Sequence, residues 1–280
     1  MPIRVNTNIA SINARRNLDI TNQRLQKSLE RLSSGLRINR AADDAAGLAI
    51  TSKMRAEVKS MAQAVRNAND GISLIQTAEG SLEEIYNILS RVRELAEESA
   101  NGTLSQDERD LIDTEFQQLY QEIDRIANVT EFNGIKLLDG SISSNGISLQ
   151  VGINNTSNDK ITITINDMKA SALGLGTGST ITTLSTQEMA RSALDIVDSA
   201  IALVSTNRGK LGAQQNRLDS TISNLNITIE NQQASISRIR DVDFAAETAN
   251  FTQQQILLQT GTAILAQANA LPQSALSLLR

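Results

Sequence analysis

The chain has 280 residues, 40% of them hydrophobic and only 2% aromatic, with a net charge of -5 and no Trp, His or Cys. Without His or Cys it lacks soft metal ligands, a thiol nucleophile and any side chain that titrates unperturbed near neutrality, which excludes most common active-site designs. The charge is uneven: residues 1 to 40 carry eight Lys/Arg against two acids (+6), and residues 241 to 280 carry one Arg against three acids (-2).

A basic arm raises the question of nucleic acid. Its charges alternate with apolar positions, and it has no aromatic for base stacking, so nucleic acid is not the expected partner. Two prolines in the whole chain leave long helices uninterrupted, and abundant Ala, Leu, Gln, Glu and Arg favour them, so the fold should be mainly α. The opening MPIRVNTNIA has no apolar run of signal-peptide type, and no window reaches the roughly 18 apolar residues of a membrane span. Neither a cleaved-signal export route nor membrane insertion is expected.

In chain order, Leu18, Leu25, Leu29, Leu32 and Leu36 follow the alternating spacing of a coiled-coil seam. A longer seam runs through Met54, Val58, Met61, Val65, Ala68, Ile72, Ile75, Leu82, Tyr86 and Leu89, broken only at Glu79. A third helix carries Ile112, Phe116, Leu119, Ile123 and Ile126. Its start is marked by Ser105 and Glu108, the spacing in which each side chain satisfies the other's free backbone N–H. The acids Asp107, Glu108 and Asp110 therefore read as complement to the helix dipole, not as a metal site.

The middle changes character. EFNGIKLLDG gives two turn signals, and ISLQVGI and KITITI alternate apolar and polar residues across the polar loop NNTSND, the pattern of a β-hairpin. The GLGTG at 174 to 178 has no dinucleotide-binding spacing after it and reads as a flexible connection. Helical spacing then resumes from Met189 for roughly 50 residues, about 75 Å at helical rise. Finally Phe244, Phe251, Leu258 and Leu265 fall seven apart. The plan is nearly palindromic, so the two end helices should pair antiparallel. One partner leaves Val5, Ile9, Ile12, Leu276, Leu278 and Leu279 without cover, and other subunits are the natural cover.

Five stretches carry a specific resemblance: LSSGLRINRAADDAAGLAI (32 to 50), NDGISLIQTAEG (69 to 80), RVREL (91 to 95), EFNGIKLLDG (131 to 140) and GTAILAQANALPQSALSLLR (261 to 280). With them the chain resembles the bacterial flagellins over nearly its whole length. The expected fold is an elongated antiparallel coiled-coil or helical-bundle rod, mainly α, with a small β-hairpin insertion. Residues 1–42 and 240–280 would pair as a terminal core, and 43–239 would form the rod, with the hairpin region at about 140–180. Flagellins usually carry large outer domains, whereas only about 50 residues separate Gly140 from Ala190 here, so the subunit is a nearly minimal form. Its Ser/Thr-rich stretch from Ser171 to Thr186 is a candidate for glycosylation, and without histidine it cannot carry the zinc motif of some family members.

The resemblance implies an extracellular flagellar filament built by self-assembly, with no enzymatic activity and no cofactor. Assembly would use Leu18, Leu25, Leu29, Leu32, Leu36, Phe244, Phe251, Leu258, Leu265, Leu278 and Leu279, whose seams order as the subunit polymerises. Ser33 to Gly47 resembles the joint between core and rod, where Arg37, Arg40, Asp43 and Asp44 make contacts within or between subunits. Further implied partners are hook-associated and cap proteins at the filament ends, a chaperone on the C-terminal helix during type III export, and Toll-like receptor 5 through Arg91, Leu95 and Glu115. A hook-filament junction protein is the alternative, because it shares the terminal pattern.

Overall fold

The computed structural model describes residues 7–177 and 180–277, with side chains described to Ala270 apart from those of residues 177, 180 and 181. Helix α1 (Ile9–Ser34) starts at Asn8, whose side chain accepts a hydrogen bond from the Ser11 N–H. It stops at Gly35, where φ of 72° is a conformation that only glycine adopts without strain, and the Gly35 N–H returns to the Arg31 carbonyl. Helix α2 spans Ala45–Ser99, α3 Gln106–Val129, α4 Gln187–Arg240 and α5 Phe244–Ser277. The chain divides into two compact units, residues 1–56 with 230–280, and residues 57–229.

In the first unit α1 pairs with α5. The periodicity is right but the seam is narrower than expected. Leu18, Leu25 and Leu32 are half-buried, as are Phe251, Leu258 and Leu265. Leu29 is corrected: it lies one position off the seam and is 54% exposed. Leu36 is corrected too, because α1 has already ended and Leu36 sits in an isolated antiparallel bridge with Asp241. Phe244, at the first position of α5, is 57% exposed and not a seam residue. Val5, Leu278 and Leu279 lie outside the described residues, as does the side chain of Leu276.

The second unit is built around α2, α3 and α4. Ile75, Leu82, Leu89, Phe116, Ile123, Val197, Val204 and Leu211 are fully or almost fully buried in one cluster. Each such side chain contributes on the order of 1.5–3 kcal/mol relative to exposure. Glu79, which interrupts the α2 seam, faces Arg208 of α4 at 3.9 Å; the same guanidinium pairs with Glu83 and lies 6.0 Å from the Tyr86 ring centre. The seam breaks there because the α2–α4 contact includes a charged layer.

Strands β1 (Glu131–Phe132) and β2 (Ile135–Lys136) close around Asn133 and Gly134, both at positive φ, the tight turn that an Asn-Gly pair favours. The expected hairpin is present as β3 (Ile147–Gln150) and β4 (Lys160–Ile163), antiparallel, with Ile147 opposite Ile163 and Gln150 opposite Lys160. Ile161 and Ile163 point into the core, whereas Lys160 and Thr162 face out. The hairpin seats on α2 at Gly71, where a Cβ would lie 2.1 Å from Leu149 Cδ1. The GLGTG segment contributes β5 (Gly176–Thr177), which pairs with β6 (Thr180–Ile181).

The capping box of α3 forms as its spacing predicts, with the Glu108 carboxylate accepting from the Ser105 N–H at 2.7 Å. Polar side chains on another face of α3 hold the returning segment. Asp113 accepts from the Leu184 N–H at 2.6 Å, and Asp124 from the Ala170 N–H at 2.8 Å. Two carboxylates thus do for this irregular stretch what a ladder does for a strand.

Candidate assembly surface

The joint explains the composition of LSSGLRINRAADDAAGLAI. Backbone groups at its start meet the end of α4: the Arg37 N–H donates to the Arg240 carbonyl at 2.7 Å, and the Val242 N–H donates to the Gly35 carbonyl at 3.0 Å. The Arg37 guanidinium donates to the Ile239 carbonyl, and the Arg240 Nε to the Ile38 carbonyl at 3.4 Å. Ile38 is buried beneath this ladder. Gly47 is small of necessity, since a Cβ there would lie 2.8 Å from Ile38 Cδ1 and 2.5 Å from the Asp44 carboxylate.

The four joint charges all find partners inside the chain. Asp43 Oδ1 pairs with Lys27 Nζ at 2.7 Å, and its Oδ2 accepts from the Asn39 and Arg40 N–H groups at 3.2 and 3.1 Å. The Lys27 ammonium first, and the Arg40 N–H second, hold the Asp43 carboxyl down at about 2 against the ordinary 3.8. Arg40 reaches back to Glu30 at 2.9 Å, and Asp44 accepts from the Gly47 N–H at 2.8 Å in the first turn of α2. The segment is a clamp between α1, α2 and the end of α4.

The α1–α5 seam holds features that apolar spacing alone does not reveal. Its α5 side reads Glu247, Phe251, Gln254, Leu258, Gly261, Leu265 and Ala268, at the same alternating spacing. Glu247 is buried and paired with Arg31 at 3.5 Å. The small residue on the seam between Leu258 and Leu265 is the legible signal for Gly261, which receives Leu18. At the far end the Asn8 amide donates to the Ala268 carbonyl at 2.7 Å.

Beyond the seam both helices present apolar side chains to solvent. Ile9, Ile12 and Ile20 are exposed on α1, and Phe244, Ile256, Leu257 and Ile264 on α5. Phe244, Ala245, Ala249, Ile256 and Leu257 line a shallow groove along one side of α5. Exposed apolar surface on this scale marks an interaction face.

The three expected receptor positions fall differently. Arg91 and Glu115 are exposed and paired at 2.9 Å, with Glu94 on the other side of Arg91 at 3.1 Å. The hydrogen bond that Arg91 donates to Glu115 leads in raising its guanidinium above its ordinary value. Leu95 is corrected: it is a core residue, 1% exposed, and the isolated chain does not offer it as a surface contact. Among the described residues no group of His, Cys, Asp and Glu is arranged to hold a metal ion, and no helix is long and apolar enough to cross a membrane.

The description of the bacterial flagellin N-terminal helical region matches residues 5–143, and that of the C-terminal helical region matches residues 194–279. The chain belongs to the bacterial flagellins. A flagellin of Halalkalibacterium halodurans is 48% identical over 276 residues, covering 99% of both chains. The flagellin of Bacillus subtilis is 46% identical over 306 residues, covering 99% of this chain and 100% of its own. Among solved structures, a provisionally named flagellar hook-associated protein of Vibrio parahaemolyticus superposes with a TM-score of 0.54 at 17% identity, covering 71% of this chain and 100% of that one; it shows a shared fold. As a flagellin, the chain is a structural subunit of the flagellar filament, serves motility and is not an enzyme.

Proposed function

We propose that polymerisation proceeds through the outward faces of α1 and α5, which bury their apolar residues between neighbouring copies and complete the ordering of a terminal pair whose seam is already formed in the subunit. The observation that carries this is the row of exposed isoleucines and leucines on both terminal helices, beside a seam that already uses the other apolar positions. Repetition of a heterologous contact without closure generates an open helical polymer. The joint residues Arg37, Arg40, Asp43 and Asp44 serve by holding the ends of α1, α2 and α4 in a fixed relation, because their partners lie within the subunit.

The same α5 groove suits an export chaperone that covers it until assembly, and the family route implies secretion through the flagellar export apparatus. Hook-associated and cap proteins would meet the polymer at its ends. Arg91 and Glu115 form the surface part of a Toll-like receptor 5 contact. The test of the assembly reading is negative-stain microscopy of full-length chain and of chains lacking residues 1 to 36 or 245 to 280. Full-length chain should give long filaments and both truncations none. Filaments from a truncated chain would overturn the terminal-helix account, and short capped oligomers from the full chain would favour the hook-filament junction reading.

A further inference from the structure

We propose that Asn101 is a self-modification site, where the chain converts its own side-chain amide to aspartate and isoaspartate with loss of ammonia. Three Asn-Gly pairs occur in the sequence, Asn101–Gly102, Asn133–Gly134 and Asn145–Gly146, and all three asparagines are exposed. The reaction uses the glycine nitrogen as nucleophile, so that nitrogen must be free of a hydrogen bond and within reach of the asparagine Cγ. The fold separates the three pairs on these points. The Gly146 N–H is occupied, donating to the Ile142 carbonyl at 3.1 Å, and a Cβ on Gly146 would lie 2.5 Å from Thr162. Asn133 is fixed at φ of 50° in the turn between the paired Phe132 and Ile135, and the backbone rotation that brings its Cγ onto the Gly134 nitrogen would break that pair.

Gly102 lies in the exposed link between α2 and α3, and its N–H donates to no group among the described residues. Donors stand at both oxygens where charge develops. Arg109 Nη2 donates to the Asn101 main-chain carbonyl at 2.7 Å, the oxygen that shares the negative charge of a deprotonated Gly102 nitrogen. The Thr103 N–H donates to Asn101 Oδ1 at 3.3 Å, the oxygen that turns anionic when Cγ is attacked. Arg109 is itself held in place, since its Nε donates to the Ser99 carbonyl at 3.0 Å.

The Gly102 nitrogen loses its proton to water and bonds to Cγ. The Cγ–Nδ2 bond then breaks, Nδ2 leaves as ammonia, and a cyclic imide remains. Water opens the imide at either carbonyl. Attack at Cγ gives aspartate; attack at the main-chain carbonyl, which Arg109 polarises, gives isoaspartate, whose freed carboxylate stays beside the guanidinium. One water is consumed, one ammonia is released, and the link between α2 and α3 gains a negative charge.

Peptide mass spectrometry of the full-length chain, held at mildly alkaline pH, tests the site. In the folded chain Asn101 should convert about tenfold or more faster than Asn133 and Asn145, and in urea the three rates should converge. Gly102→Ala fits the fold, since the nearest atom to its Cβ is the end of the Gln187 side chain at 3.4 Å, and it should slow conversion with the helical circular dichroism unchanged. Arg109→Gln should slow conversion and lower the share of isoaspartate, a product ratio that mere loosening of the link does not set. Equal rates at the three pairs in the folded chain overturn the proposal, as does an Arg109→Gln chain that converts as fast and with the same isoaspartate share. If the arginine variant loses helicity, Gly102→Ala carries the test, and unchanged conversion there overturns the proposal.

Discussion

Gly261 of α5 faces Leu18 of α1 so closely that a Cβ on the glycine would lie 2.7 Å from Leu18 Cδ2 and 3.2 Å from its Cγ. The glycine is therefore a socket in the seam. Gly261→Val should force Leu18 out of place and cost the terminal pair about 1–3 kcal/mol, despite the gain in helix propensity over glycine. Gly209 of α4 is the control, since nothing lies within 4 Å of a Cβ there. Gly209→Ala should stabilise the monomer by about 0.5–1 kcal/mol. Thermal melts of the two variants should move in opposite directions, and a rise for both would remove the socket.

Ile256 and Leu258 separate assembly from subunit folding. Leu258 is half-buried on the intramolecular seam, whereas Ile256 is 55% exposed beside it. Leu258→Asp should lower both helicity and polymerisation. Ile256→Asp should leave helicity unchanged and abolish filaments in a sedimentation assay. Normal filaments from the Ile256 variant would show that this face is not used.

Asp43 makes the joint sensitive to acid. Its folded carboxyl is held at about 2 against the ordinary 3.8, so below neutrality the unfolded chain takes up the proton first. The stabilisation is complete above pH of about 4 and is lost as pH falls toward 2. Asp43→Asn should be less stable than the parent in urea unfolding at pH 7, and the two curves should converge near pH 2. A difference that persists unchanged at low pH would mean that geometry, not charge, is what the asparagine disturbs.

Leu149 fills the notch that Gly71 leaves in α2. Gly71→Ala should push the β3–β4 hairpin off the helix, and amide exchange in Ile147–Gln150 and Lys160–Ile163 should accelerate about tenfold, equivalent to roughly 1.4 kcal/mol of local stability. The core position Ile123, remote from the notch in sequence, should keep its protection. Unchanged exchange in both strands would show that the hairpin does not depend on this contact.

Much of this architecture is legible because it is local. The Ser105–Glu108 box, the Asn133–Gly134 turn and the alternation of β4 each need only a few adjacent residues, and each forms as written. Side-chain facing is legible to about one position, which is why Leu29 reads with Leu25 and Leu32 by spacing though it points away. What spacing cannot supply is the identity of the partner. Glu79 looks like a flaw in α2 until Arg208, more than a hundred residues later, is opposite it. Leu95 lies within a surface motif but turns inward, and Asp113 and Asp124 resemble solvent-facing acids until the returning backbone reaches them. The sites assigned through family resemblance thus depend most on long-range pairing.

The bridge between Gly35–Ile38 and Arg240–Val242 is made largely of main-chain groups, and main-chain groups are indifferent to most substitutions. Side chains at Leu36 and Asp241 can drift while the two segments stay joined. Proline is the exception at positions 37 and 242, where it would delete the donating N–H outright. Positions 37 and 242 therefore carry a restriction that acts through the backbone alone and adds to whatever their side chains require, as with the Arg37 guanidinium on the Ile239 carbonyl.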